Sequence, residues 1–262
     1  MKIVVLVKYV PDATANRSFS DSDLTTDRVG VDGVLSELDE HALEAALTIA
    51  DGEGEVVALT MGPDDAGAAV KKALQMGADS GVHVSDEALH GSDAPATSRV
   101  LAAALEKVAE QGPVDLVLTG MASTDGGMSV VPAMLAERTG WAHVGFAGEV
   151  TVAEGSVQGR RDGDSASQTV AASLPAIVSV TDQINEPRYP SFKGIMAAKK
   201  KPVTSYTLAD LGIAAEEVGL SAAWSVVREV SPRPPRMQGE VIIDEGDGGT
   251  RLVEFLASQR LV

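Results

Sequence analysis

Residues 120–129 have the composition of a phosphate-binding loop. They follow an apolar run expected to be a buried strand and precede a segment with helical apolar spacing. Glycines let the backbone approach a phosphate closely, and free N–H groups at a helix N-terminus favour an anion; Ser123, Thr124 and Ser129 add hydroxyl donors. The alternative is a glycine-rich connector in which Thr124 or Asp125 caps the helix. Because a carboxylate repels phosphate, we expect Asp125 to cap the helix or to bind a sugar hydroxyl.

The sequence lacks the motifs of several other chemistries. It has no G-x-x-x-x-G-K-[ST] loop, no G-x-S-x-G elbow and no cysteine for disulfides, iron–sulfur clusters or thiol nucleophiles. Gly52-Glu53-Gly54 precedes a strand and lacks the third glycine of a dinucleotide fingerprint. The histidines lie without metal-ligand spacing at positions 41, 83, 90 and 143. We therefore expect no metal, and a binding or carrier role rather than catalysis.

The loop at 120–129 must be positioned by strands and helices, which the sequence predicts as apolar runs that alternate with helical patterns. Five runs rich in Val and Leu predict strands covered on both faces, at 3–7, 55–61, 81–84, 114–119 and 176–181. Amphipathic spacing predicts helices in the regions 43–50, 70–74, 101–108 and 130–138. The order predicts a doubly wound, mostly parallel α/β sheet of three layers, similar to adenine nucleotide α-hydrolase-like or flavodoxin-like folds. Residues 149–170 alternate and are broken by glycine, which predicts an antiparallel excursion.

The sequence changes character after Tyr189. We expect residues 1–190 to form the nucleotide-binding domain, and residues 191–262 to form an extension with a C-terminal arm. Prolines interrupt this last stretch, and its apolar residues are too sparse for an independent core. The spacing of these apolar residues favours packing on a partner over simple disorder. The residues are Trp224, Val226, Val227, Ile242, Leu252 and Phe255.

Composition narrows the range of partners. The 262 residues include 21 Lys and Arg against 38 Asp and Glu, a formal charge of −17, so a nucleic-acid partner is not expected. The apolar stretches are shorter than the ~20 residues of a membrane helix, so no direct membrane insertion is expected. The N-terminus is typical of a first strand rather than a signal peptide. We expect a cytoplasmic protein.

Three stretches carry a resemblance to a known family. They are Val-Lys-Tyr-Val-Pro-Asp at 7–12; Leu-Asp-Glu-His-Ala-Leu-Glu-Ala-Ala-Leu at 38–47, with Met-Gly-Ala-Asp at 76–79 and His-Val at 83–84; and Asn-Glu-Pro-Arg-Tyr at 185–189, continuing through Gly-Ile-Met at 194–196 to Ala-Lys-Lys-Lys at 198–201. They resemble the electron-transfer flavoprotein β-subunit family, and the third stretch is the most specific.

This resemblance implies a heterodimer. Its α subunit would hold most of the FAD, and this chain would bind AMP as a structural nucleotide and help to hold the flavin. The pair would carry electrons from acyl-CoA and related dehydrogenases, as in fatty acid oxidation, to an electron-transfer flavoprotein–quinone oxidoreductase. Some relatives bind a second FAD in place of AMP and bifurcate electrons, and the sequence leaves that alternative open.

The resemblance also implies site residues. Leu38 and Asp39 would lie at the flavin-facing edge, and the full cofactor-binding set is Leu6, Lys8, Leu38, Asp39, Met61, Gly120, Ser123, Thr124, Asp125, Gly126, Gly127, Met128, Ser129, Val130 and Val131. Partner binding would use Glu186, Arg188, Tyr189, Phe192, Ile195 and Met196. The segment 191–262 would begin with a recognition loop, and Phe192 is the expected apolar anchor of this loop over 190–196, where Gly194 permits a tight return.

The chain departs from the family pattern at several positions. Ser36-Glu37 stands where many members have Asn-Pro, and Phe192-Lys193 where Leu-Pro is common. The loop at 120–129 lacks the glutamine and paired acids frequent in the family but keeps its glycines and hydroxyls. A free-standing adenine-nucleotide sensor of the universal-stress-protein type is the alternative for this fold. A pyrophosphatase-type ligase would require S-G-G-x-D-S after the first strand, where this chain has Lys8-Tyr9-Val10-Pro11.

Overall fold

The computed structural model describes residues 1–231, 233–235, 239 and 241–262. They form two compact units, Met1–Arg228 and Glu229–Val262. The strands of the first unit are β1 (Lys2–Leu6), β2 (Tyr9–Pro11), β3 (Gly33–Leu35), β4 (Glu55–Met61), β5 (Ser80–Val84), β6 (Leu116–Gly120), β7 (Ala142–Ala147), β8 (Glu149–Ala153), β9 (Ser156–Asp162), β10 (Ser167–Ser173), β11 (Ala176–Val180) and β12 (Val203–Tyr206). The helices are α1 (Glu37–Ala50), α2 (Gly67–Met76), α3 (Ala94–Ala109), α4 (Val131–Thr139), α5 (Phe192–Ala198) and α6 (Gly219–Ala222), with α7 (Gly248–Ser258) in the second unit.

Seven parallel strands form the central sheet, in the order β12-β5-β4-β1-β6-β11-β7. β1, β6 and β11 are buried along their whole length, as expected for strands covered on both faces. The predicted doubly wound α/β fold is confirmed. The chain runs outward from β1 through β4 to β5 and returns to β6 on the other side of β1. The carboxyl ends of β1 and β6 therefore flank the switch point, where ligands bind in sheets of this kind.

Helices cover both faces of the sheet. On one face α1 and α2 present small residues such as Ala42, Ala46, Ala69 and Ala73 to the core. On the other face α3 and α4 pack against residues that include Leu59. Alanine-rich faces let helices lie close to the sheet, which is how a chain with 3% aromatic residues fills its interior.

The chain forms further strands besides the five that the sequence predicts for the central sheet. The expected antiparallel excursion is the three-stranded sheet β8-β9-β10. β12 was not predicted, and it pairs with β5 with Val203 opposite Gly81. Only alternate residues of this edge strand are partly buried, so no apolar run marks it. The first unit consequently continues to Arg228, past the boundary expected at residue 190.

The prediction of a recognition loop over 190–196 is wrong in part, because the helix α5 begins at Phe192. The side chain of Ser191 caps this helix by accepting a hydrogen bond from the Gly194 N–H at 3.0 Å. Gly194 does not form a tight return. A Cβ atom there would lie 2.5 Å from the carbonyl oxygen of Gln75, so this glycine lets α5 lie close to α2. The serine three residues before a glycine was the available signal for the helix start.

The second unit contains one helix, α7, among its described residues. No residue of α7 is buried, and Leu252, Val253 and Phe255 are each more than half exposed. Within the described part of the chain, no helix is both long and apolar enough to cross a membrane.

Candidate functional site

The carboxyl ends of β1 and β6 are joined by Asp39 in the first turn of α1. Its Oδ2 accepts from the Lys8 backbone N–H at 2.9 Å, and its Oδ1 accepts from the Gly120 N–H at 3.2 Å. Burial raises the pKa of this carboxyl to about 7, although the two backbone amides and the Lys8 charge act in the opposite direction. A Cβ atom at position 120 would lie 2.7 Å from Asp39 Oδ1, so the junction requires glycine.

The apolar residues expected at the two cofactors lie around this junction, Leu6 and Met61 for the nucleotide and Leu38 for the flavin. Leu6 is the last residue of β1 and is 8% exposed, while Met61 is the last residue of the adjacent β4 and is partly exposed. Leu38 is partly exposed in the first turn of α1. Since parallel strands end at one edge of a sheet, these side chains share the edge that carries the loop after β6.

The loop after β6 has an open, glycine-rich backbone. Gly127 and Ser129 adopt positive φ angles of 62° and 57°. A Cβ atom at Gly127 would meet no atom within 4 Å, so the space beside this residue is free. The Ser123 side chain accepts from the Gly126 N–H at 3.2 Å, and Met128 is 60% exposed.

The helix that follows this loop begins without a side-chain cap. Val130 occupies the N-cap position of α4, and Val131 is its first residue. Thr124 and Asp125 therefore do not cap α4, and the capping role expected for Asp125 is wrong. The loop places Asp125 five residues before the N-cap position, too early to reach the first-turn amides in the usual geometry. An uncapped helix start leaves amide donors and the positive end of the helix dipole for a ligand.

Asp125 is instead the centre of an ion cluster. Its side chain is 2% exposed and binds Lys8 Nζ at 2.8 Å through Oδ1 and Arg28 Nη2 at 2.7 Å through Oδ2. Burial opposes ionisation of Asp125, but the charges of Lys8 and Arg28 hold its pKa well below the ordinary value. Two cations face one carboxylate, so the cluster keeps a net positive charge next to the loop.

The sequence analysis assigned no role to the segment that contains Arg28. Residues 12–32, here called the strap, connect β2 to β3. Arg17 Nη1 from the strap donates to the Thr124 carbonyl oxygen at 2.7 Å, and Arg28 contacts Asp125. The strap has no apolar periodicity, and its two arginines within a polar stretch were the only signal.

The family-like stretch after β11 is fixed to α1. Arg188 forms a bidentate ion pair with the buried Glu44, at 2.7 Å from Nε to Oε2 and 2.8 Å from Nη2 to Oε1. Burial opposes ionisation of Glu44, but these bonds lower its pKa below the ordinary value. Asn185 Nδ2 donates to the His41 carbonyl oxygen at 3.0 Å. The Arg188 guanidinium, expected to bind a partner, is thus engaged within the chain.

The remaining residues expected to bind a partner are exposed. Tyr189 is 91% exposed, Phe192 81%, Met196 47% and Ile195 37%, and Glu186 is exposed as well. Lys201 anchors the following segment by donating from Nζ to the carbonyl oxygens of Leu74 and Gly77, both at 3.1 Å, at the end of α2. Exposed apolar side chains therefore stand on a backbone held at both ends.

Across the described residues, no group of three or more His, Asp and Glu side chains is arranged to hold a metal ion. His83 Nε2 lies 3.2 Å from the Gly62 carbonyl oxygen, and His90 Nε2 lies 2.7 Å from Asp23 Oδ2. These histidines have structural contacts.

Known proteins resemble this chain over its full length. A family model described as the electron transfer flavoprotein domain matches residues 23–211. The electron transfer flavoprotein subunit beta of Mycobacterium tuberculosis is 46% identical over 266 residues, covering 99% of each chain. The corresponding subunit of Megasphaera elsdenii is 31% identical over 100% of each chain, and the caffeyl-CoA reductase-Etf complex subunit CarD of Acetobacterium woodii is 36% identical over 92% of each. On these matches the chain belongs to the family of electron transfer flavoprotein β subunits.

Proposed function

We propose that this chain pairs with an electron transfer flavoprotein α subunit, binds AMP as a structural nucleotide and helps to hold an FAD carried mainly by the α subunit. The complex takes electrons from acyl-CoA and related dehydrogenases and passes them to a quinone oxidoreductase. The observation that carries the nucleotide assignment is the net positive cluster of Lys8, Arg28 and Asp125 beside the uncapped start of α4.

The residues present fit a nucleotide monophosphate. The free space at Gly127 and the uncapped α4 suit a phosphate, which needs close backbone approach and amide donors. Arg28 Nη1 is buried and has no hydrogen-bond partner among the described residues, so it has a donor to spare. The apolar edge formed by Leu6 and Met61 suits the faces of an adenine ring.

FAD, when bound, supplies reversible electron acceptance, so this chain needs no nucleophile or acid–base pair of its own. The contribution of the chain is binding: α1 presents Leu38, the residue expected at the flavin-facing edge, while Asp39 fixes the junction of β1 and β6. We infer that the chain is a carrier subunit without catalytic residues of its own and that it works in the cytoplasm.

The α5 surface supports docking by a redox partner. A single large aromatic side chain on a helix whose backbone lies close to a neighbouring helix, as α5 does to α2 at Gly194, offers a contact that loses little conformational entropy on binding. Phe192 meets that description, and the exposed Ile195 and Met196 enlarge its apolar surroundings. A free-standing sensor of the universal-stress-protein type has no use for such a surface or for the exposed apolar side chains of α7.

Co-expression with the α subunit tests the proposal. We expect a yellow heterodimer that releases about one AMP per complex on denaturation, measured by absorbance and chromatography of the extract. A colourless, stable monomer would instead favour the sensor.

A pair of glycine variants locates the phosphate. Gly127→Ala and Gly140→Ala impose similar backbone strain, because the two residues have φ angles of 62° and 69° and open space beside them. They lie before and after the same helix, so only the first should lower AMP content, by at least about fivefold. Equal AMP content in both variants would place the phosphate elsewhere.

A further inference from the structure

The strap, residues 12–32, is held over the nucleotide loop almost entirely by polar contacts. Three side chains tie it to the body of the first unit: Arg17 to the Thr124 carbonyl oxygen, Arg28 to Asp125 and Asp23 to His90, each at 2.7 Å. At its base β2 and β3 share only three residue pairs, and a single bridge joins Phe19 to Thr26.

Apolar packing adds little to this attachment. Phe19 is 46% exposed and Val29 is 97% exposed, and the partly buried Leu24 and Val31 pack against neither buried cluster of the first unit. A segment fixed by a few polar contacts opens at lower free energy than one anchored by buried apolar side chains. Since two of the three ties end on the loop after β6, opening of the strap and access to that loop are linked.

Arg28 is the side chain that connects the strap to the charge of the site. Its Nη2 binds Asp125, while its Nη1 is buried and has no acceptor among the described residues. A buried donor without an acceptor is unfavourable, and a guanidinium can bind two anionic groups at once because its nitrogens form a rigid fork. Because Lys8 also forms an ion pair with Asp125, this cluster has two positive charges and only one carboxylate.

We propose that the strap is a lid over the nucleotide and that Arg28 locks it by binding the phosphate. Nη2 stays on Asp125 while Nη1 donates to a phosphate oxygen of AMP, so the nucleotide leaves only after the strap lifts. This inference rests on the proposed function and deepens it, because it names the residue that makes AMP exchange slowly.

Limited trypsin digestion of the complex with the α subunit reports on the lid. Arg17 and Arg28 are the only tryptic sites in the strap, since residues 12–32 contain no lysine. We expect AMP to slow cleavage after Arg28 by at least about fivefold relative to nucleotide-free complex. Adenosine, which lacks the phosphate, should give much less protection at the same fractional occupancy.

The variant Arg28→Lys keeps the positive charge at position 28 but removes the paired nitrogens of the guanidinium group. Lysine keeps the tryptic site and an ion pair with Asp125 but has a single nitrogen, so it cannot bind carboxylate and phosphate in the same bidentate manner. We expect AMP protection to be lost and exchange of isotopically labelled AMP to accelerate by at least about fivefold. Arg161→Lys is the matched control, because the exposed Arg161 side chain has no hydrogen bond among the described residues, and it should behave as wild type.

The outcomes distinguish the two proposals. If wild-type complex binds AMP but Arg28→Lys shows wild-type protection and exchange, the lid lock is wrong while the AMP assignment stands. Equal protection by adenosine and AMP would also overturn the phosphate contact. If the wild-type complex contains and takes up no AMP, the nucleotide part of the proposed function fails, and the lid inference fails with it.

Discussion

Three carboxylates hold together backbone segments that are distant in the sequence. Asp39 joins the ends of β1 and β6, Asp125 binds Lys8 and Arg28, and Glu44 holds Arg188. The residue types at the loop could be predicted from the sequence, but their contacts could not. Asp125 lies 117 and 97 residues from its two cations, so local reasoning suggested only a helix cap or a contact with a sugar hydroxyl. Sequence distance hides an ion cluster that folding brings together.

Asp39 is expected to make the protein less stable as the pH rises through neutrality. Its folded-state pKa of about 7 lies above the ordinary value of 3.8, so the folded chain holds this proton more tightly than the unfolded chain. The resulting stabilisation is fully present below about pH 4 and is lost as the pH rises through about 7. Thermal melts of nucleotide-free protein between about pH 5 and about pH 8 measure this decline.

The variant Asp39→Asn isolates that effect. Asparagine cannot ionise, so its melting temperature should depend less on pH, although losing one acceptor for a backbone N–H lowers it by an amount equivalent to about 1–3 kcal/mol. The difference between wild type and variant removes contributions from other groups, including His143, whose pKa burial lowers. Parallel melting curves would show that Asp39 stays ionised across this range.

At the scale of elements, the sequence predicted the buried strands but did not predict β12 at the edge of the sheet or α5 on the surface. β4 and the central strands were recognised because a doubly covered strand consists mostly of apolar residues. β12 and α5 lie at the sheet edge and on the surface, where half or more of the side chains face solvent. Their positions depend on single tertiary contacts, such as the approach of Gly194 to Gln75, that leave no periodic pattern.

Because the Phe192 side chain is exposed on α5, its truncation should affect binding and not folding. Phe192→Ala is expected to weaken electron acceptance from dehydrogenases, with an apparent KM increase equivalent to ~2 kcal/mol. Flavin content, AMP content and melting temperature should stay near wild type, because the side chain is 81% exposed. Steady-state reduction of the complex by an acyl-CoA dehydrogenase is the measurement.

Val34→Ala provides the comparison for Phe192→Ala. It shortens an apolar side chain that is 37% exposed on β3, outside α5, and should leave the kinetics unchanged. A lower melting temperature with normal dehydrogenase kinetics for Phe192→Ala would assign this residue to folding instead.

At the scale of the whole molecule, the two units differ in how they can be stable. The first unit holds the seven-stranded sheet with helices on both faces, and its buried residues form two clusters, one on each side of that sheet. In the second unit the 11-residue α7 buries no residue. An isolated helix of this length is marginal in water, so its apolar side chains need a partner. The expectation of an arm packing on another chain remains a prediction, and its structural basis is this exposed face.

Deletion of residues 229–262 should therefore abolish the heterodimer while leaving the first unit folded. Size-exclusion chromatography would report the loss of the complex, and circular dichroism would report the retained fold. A subtler variant tests the helix itself: Leu252→Asp with Phe255→Asp places charges three residues apart on one face of α7. Glu254→Asp in the same helix is the control and should keep the complex. A truncated chain that still elutes with the α subunit would show that the first unit alone carries the subunit interface.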